Sequence, residues 1–115
     1  MRVAWSEQAV RAIRDLLGSD RVSVRLVYDT EGCGCAVDGV AALWAVDEPL
    51  AGDAEATGSP AGIRLWYDKR QAIFWDEELR LAYNPDRRAF ALASDGQTYS
   101  NRLALQDRRA ASNFK

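Results

Sequence analysis

The run Val22-Ser23-Val24-Arg25-Leu26-Val27-Tyr28 alternates apolar and polar residues with little interruption. That period fits a half-buried strand and no amphipathic helix. A second apolar run follows, Val40-Ala41-Ala42-Leu43-Trp44-Ala45-Val46, and between them lies Asp29-Thr30-Glu31-Gly32-Cys33-Gly34-Cys35-Ala36-Val37-Asp38-Gly39. Two strands joined through a glycine-rich turn predict an antiparallel hairpin. Glycine adopts positive φ without a Cβ penalty, so the alternating glycines let the backbone turn sharply and present N–H groups outward. Both cysteines of the chain, Cys33 and Cys35, fall in this turn.

The hairpin needs a partner layer, and the N-terminal region offers one helix. Ser6 is placed to cap a helix from Glu7 to Leu17, with Glu7 in its first turn and Gly18 as its stop. Val10, Ile13 and Leu17 share one face, with Ala9 and Leu16 beside it, while Arg11, Arg14 and Asp15 look outward. Trp5 ahead of the cap and Val10 would form a hydrophobic staple.

Beyond the hairpin the chain turns to short strands. Residues 47–60, with Glu48-Pro49, Gly52-Asp53 and Gly58-Ser59-Pro60, read as a flexible loop. Ile63 to Asp68 reads as a strand and Lys69 to Phe74 as a turn of helix. Leu79 to Tyr83 is a strand closed by Asn84-Pro85-Asp86. Ala89 to Ala93 and Thr98 to Leu105 flank Ser94-Asp95-Gly96-Gln97, an Asp-Gly hairpin connection, and residues 107–115 read as a frayed tail. One helix followed by many short strands predicts an α+β domain spanning 1–115.

Composition narrows the chemistry. The 115 residues contain no histidine, which excludes Ser-His-Asp and Cys-His catalysis and histidine-ligated metal. The net charge of −2 carries no footprint for nucleic acid, and no run is long and apolar enough for a membrane span. A soluble cytoplasmic protein is the expectation, with no nucleic-acid or membrane partner. Cys33 and Cys35, one residue apart, would close too short a ring for an unstrained disulfide, so they are expected as free thiols.

Soft thiolates suit an iron–sulfur cluster, Zn(II) or Cu(I), with Asp29, Glu31 and Asp38 as weaker oxygen ligands. A cluster usually takes four thiolates and one chain has two, so a homodimer would complete the set. The same residues also allow a thiol redox protein, though Glu31 and Asp38 oppose a lowered thiol pKa. A third reading is a protein-interaction module without metal. Elsewhere, Trp44, Trp66 and Trp75 are expected to fill the core or line a groove. Asp76-Glu77-Glu78 reads as an exposed turn, and Arg87-Arg88 and Arg108-Arg109 as a solvated face.

The order of these elements resembles the HesB/IscA-like family of iron–sulfur cluster biosynthesis proteins, the A-type carriers. The likeness rests on the N-terminal helix, the strand running into Gly32-Cys33, the strand into Val46-Asp47-Glu48-Pro49, Ile63 to Asp68, Leu79 to Tyr83, and a shifted Asn84-Pro85. Within the family it points to a YqkB-like branch of small bacterial proteins with Gly-Cys-Gly-Cys in the first loop. The resemblance implies a HesB-like fold, a compact twisted β structure of two small mixed sheets with the helix alongside. It also implies a non-enzymatic role in iron–sulfur cluster assembly or iron handling, with Cys33 and Cys35 as cofactor and metal ligands, and assembly or recipient proteins as partners. Typical carriers add a C-terminal Cys-Gly-Cys pair, where this chain reads Ser94-Asp95-Gly96-Gln97-Thr98-Tyr99.

Overall fold

Ser6 caps the helix as its position predicts, and the rest of the fold is built outward from that junction. The computed structural model describes residues 1–29 and 40–109. The Ser6 hydroxyl accepts the Ala9 N–H at 3.1 Å and opens α1, Glu7–Leu17. Gly18 closes the helix in the left-handed region, φ 68°, with its N–H donating to the Arg14 carbonyl. Ala9, Ala12, Ile13 and Leu17 form the buried stripe, and Trp5 and Val10 pack half-buried against the core. Leu16 is 59% exposed, so the inward face is narrower than the apolar pattern suggests and Ala12 takes the place expected of Leu16. Among the described residues, no helix is long and apolar enough to cross a membrane.

The strands are β1 (Arg2–Trp5), β2 (Val22–Asp29), β3 (Val40–Val46), β4 (Asp53–Glu55), β5 (Ile63–Asp68), β6 (Glu78–Asn84), β7 (Ala89–Ala93) and β8 (Thr98–Asp107). The expected hairpin is present: β2 and β3 pair antiparallel from Ser23↔Val46 to Asp29↔Val40. Lys69–Phe74 is a 3-10 turn. Asn84 Oδ1 accepts the Asp86 and Arg87 N–H groups at the β6–β7 turn, and Ser94 organises the β7–β8 turn.

Two short strands escape the sequence pattern. β1 has four residues, too few for alternation to show, and pairs parallel with β6. β4 lies inside the 47–60 excursion and pairs antiparallel with β5. A bidentate Arg25–Asp53 ion pair, with contacts of 3.1–3.2 Å, ties that excursion to β2.

Two separate sheets are not what the pairing gives. The eight strands hydrogen-bond in one order, β1-β6-β7-β8-β3-β2-β5-β4. β8 is long enough to serve both halves, pairing antiparallel with β7 through Thr98 to Leu103 and parallel with β3 through Ala104 to Asp107. Register irregularities between Phe90 and Ala93 accompany the bend there. The two edges then meet. The Val3 N–H donates to the Thr57 carbonyl at 2.9 Å and the Thr57 N–H donates to the Met1 carbonyl at 3.0 Å. The mixed sheet therefore curls around one core, in which Val3, Ile13, Val24, Leu26, Leu43, Leu65, Leu79, Leu81 and Leu92 are each under 2% exposed.

Candidate functional site at the β2–β3 hairpin

Three connections distant in sequence gather at one end of the sheet. The β2–β3 connection leaves from Asp29 and returns at Val40, their last register pair. Because β5 runs parallel to β2, its C-terminus and the 3-10 turn arrive at the same end. Because β8 runs parallel to β3 and antiparallel to β7, the 94–97 turn arrives there too. Parallel pairings thus bring residues 69–77 and 94–97 to the root of the hairpin.

Side chains lock that root. Gln71 bonds the backbone of Tyr28 twice, its Oε1 accepting the Tyr28 N–H and its Nε2 donating to the Tyr28 carbonyl, both at 3.1 Å. This amide acts as a substitute strand partner just before the chain enters the cysteine segment. The Tyr28 ring stacks on Phe74 with centroids 4.3 Å apart and meets Trp75 edge-on at 5.8 Å. Trp75 continues the row to Tyr99 at 5.2 Å. Edge and offset contacts of this kind stabilise beyond simple area burial.

The far end of the row is polar. The Tyr99 hydroxyl accepts the Asp76 N–H at 2.8 Å and a hydrogen bond from Gln97 Nε2 at 3.3 Å. Burial is the main cause that pushes the Tyr99 phenol above its ordinary range, and the Asp76 charge acts in the same direction. Ser94 is buried; its hydroxyl donates to Asp76 Oδ2 and accepts from the Gly96 and Gln97 N–H groups.

Of the candidate ligands, Cys33, Cys35, Glu31 and Asp38 lie outside the described residues, and Asp29 is placed by its backbone alone. Among the described residues no group of three or more His, Cys, Asp or Glu side chains could hold a metal ion. Asp68 is held below the ordinary carboxylate range, chiefly by the hydrogen bond from the Arg70 guanidinium, and serves the fold. Trp75 is buried as expected, while Trp44 and Trp66 are half-buried beneath Arg108 and Arg64, whose guanidinium carbons lie 3.7 and 5.3 Å from the ring centroids.

The row Tyr28, Phe74, Trp75, Tyr99 and the Gln71 clasp are not legible as a unit in the sequence. Their one local signal is the density of aromatics around Lys69 to Asp76. The indole N–H groups of all four tryptophans are buried without a hydrogen-bond partner among the described residues, and Trp75 is the one at the hairpin root.

Comparison with known proteins agrees with this architecture. The sequence model of the family described as "Iron-sulphur cluster biosynthesis" matches residues 1–107. The chain is 33% identical over 100 residues to the uncharacterized protein YqkB of Bacillus subtilis, covering 87% of this chain and 90% of YqkB. A candidate Fe–S biosynthesis protein from Lactobacillus salivarius shares the fold with a TM-score of 0.73 at 13% identity, covering 95% of this chain and 99% of that one. SufA of Escherichia coli, involved in biosynthesis of iron–sulfur clusters, superposes with a TM-score of 0.57 at 20% identity over 79% of this chain and 76% of its own. With the family's sequence model matching from Met1 to Asp107, the chain belongs to the iron–sulfur cluster biosynthesis family.

Proposed function

We propose that this protein is a non-enzymatic binder of iron or of an iron–sulfur cluster, acting in cluster biosynthesis, with the Cys33 and Cys35 thiolates as its ligands. The observation that carries the reading is the family match over nearly the whole chain, combined with both of its cysteines lying in one hairpin connection. Two thiolates supply half of the usual set of four, so a second copy of the chain completes it. Asp29, Glu31 and Asp38 are the weaker oxygen donors in the same segment.

The described residues suit a neighbouring cluster. The strand ends that carry the segment are pinned by Gln71, and an aromatic row stands beside them. Cluster cargo would be held by the thiolates.

Anaerobic reconstitution with iron and sulfide tests the proposal, with wild type beside Cys33→Ser/Cys35→Ser. Thiolate-to-iron absorption bands present in wild type and lost in the double variant are expected. Equal iron uptake by both, or none by wild type, would refute it.

A further inference from the structure

Three features with no role at the hairpin root meet elsewhere in the fold. β7 begins at Ala89, whereas β8 runs on beside β3 to Asp107, so a gap opens past the Phe90↔Leu103 pair. The last turn of α1 bounds that gap, tied to the end of β8 by Arg109 Nη1, which donates to the Leu17 carbonyl at 3.2 Å. The cavity so formed has a volume of about 480 Å³. Small-molecule sites usually occupy roughly 300–1,000 Å³. It lies away from the cysteine connection, since Asp107 pairs with Ala45, at the other end of β3 from Val40.

The lining is apolar below and cationic at the rim. Leu17, Phe90 and Leu103 are buried along the floor, and Leu16 stands 59% exposed at the wall. The helical pattern places Leu16 beside the core face, and its exposure is explained by the cavity it borders. Arg87 and Arg88, from the β6–β7 turn, and Arg102, from β8, line the rim and are exposed. Among the described residues none of these three guanidinium groups forms an ion pair or a hydrogen bond. The Asp107 carboxylate, also at the rim, is bonded by Arg109 at 2.7 Å. A chain of net charge −2 therefore concentrates three cations around one apolar hollow, an arrangement that attracts an anion. Backbone geometry adds an independent sign. Arg88 sits at φ 51°, in the left-handed region where a Cβ is disfavoured and glycine is the ordinary choice. A strained residue that supplies a charge to a cavity points to binding there.

We infer that this cavity binds a small organic anion, a phosphate or carboxylate carried on an apolar body. The head sits among Arg87, Arg88 and Arg102, and the body rests on Leu16, Leu17 and Phe90. Guanidinium forks match both kinds of head bidentately. A bare ion would leave the floor unused, and a neutral hydrocarbon would leave the rim unused. The site is independent of the cluster-binding reading.

Titration of the full chain with naphthyl phosphate, followed by backbone amide chemical shifts, is the test. Saturable binding is expected below about 2 mM, with shifts centred on residues 87–90, 102–105 and the end of α1. Inorganic phosphate and naphthol, which carry the head and the body separately, should each bind at least about tenfold more weakly. Arg88→Gly should weaken binding about threefold while its urea midpoint stays at or above that of wild type, because the substitution relieves strain. Arg88→Gly/Arg102→Gln should weaken it about tenfold, as separate exposed contacts add. Leu16→Glu, which sets a like charge at the wall, should also weaken it, with circular dichroism unchanged. A wild type that shows no saturation by about 5 mM overturns the inference. So does inorganic phosphate that binds as tightly as naphthyl phosphate, which would leave a bare anion site, or an affinity indifferent to the double arginine variant. A glutamate-rich peptide that binds without competition from naphthyl phosphate would assign the arginines to an acidic protein partner and overturn it as well.

Discussion

Replacing Asp53 by alanine should remove about 3 kcal/mol of folding stability, the low end of what breaking a buried ion pair costs. The Asp53 side chain is fully buried and that of Arg25 is 12% exposed. Asp53 takes three bonds from the guanidinium, two from Nε and one from Nη2, and a fourth from the Leu50 N–H at 2.9 Å. Its loss leaves Arg25 with Asp68, 3.8 Å away, as a remaining carboxylate, which is why the low end applies. For a urea m-value of about 1.5 kcal/mol/M, the unfolding midpoint falls by about 2 M, and Tm by about 12 °C. Tryptophan fluorescence reports the transition, since the chain has four tryptophans. Arg25→Met/Asp53→Leu removes both charges and should recover most of the loss, because the cost lies in the stranded cation rather than in the missing pair. A midpoint shift under about 0.5 M, or a double variant no more stable than the single one, would refute the idea that this pair anchors the 47–60 excursion.

Two further outcomes follow from the closed sheet and the hairpin root. The Tyr99 phenol is raised by burial, so its contribution to stability is complete below the unfolded value near pH ~10 and is lost as pH rises through the folded one. Urea midpoints of wild type should fall as pH rises above about 10, and Tyr99→Phe should show a smaller fall; equal slopes would contradict the assignment. Gly58 sits at φ 92°, where an added Cβ would lie 2.5 Å from the Val3 carbonyl oxygen, whereas Gly52 at φ 88° has open space. Gly58→Ala should therefore destabilise by more than the ~1–2 kcal/mol of left-handed strain that Gly52→Ala alone incurs. Equal losses in chemical denaturation would mean that the two sheet edges are not in close contact.

Local rules made the hairpin, α1 and the two later turns legible, because each carries its own instruction. Ser6 and Gly18 bracket the helix, Asn84-Pro85-Asp86 turns on the Asn84 side chain, and β2 alternates from Val22 to Leu26. What stayed hidden depends on partners far along the chain. β1 is too short to show a period and exists because β6 lies beside it. β4 is three residues in a stretch rich in glycine and proline, held by Arg25 from another strand. The single sheet in place of two follows from β8 changing partners midway, which no periodicity records. The candidate site divides in the same way. Gly32-Cys33-Gly34-Cys35 announces itself in sequence, whereas the row from Phe74 to Tyr99 is assembled by parallel pairing.

That division bears on how the chain can do without the C-terminal cysteines of typical carriers. In this sheet the 94–97 turn still reaches the hairpin end, but it brings the Ser94–Asp76 pair and the Tyr99 hydroxyl where thiols would be expected by resemblance. Those groups are already bonded to one another and to backbone N–H groups, so they brace the 3-10 turn. Bracing accompanies a buried Trp75 packed between Tyr28 and Tyr99, with Ile73 and Phe74 left exposed. Under the proposed reading these groups supply no thiol, so the ligands beyond Cys33 and Cys35 would come from a second copy of the chain. Iron taken up on reconstitution should then be found with a dimer when oligomer size is read by sedimentation, and iron held by a monomer would contradict that supply of ligands.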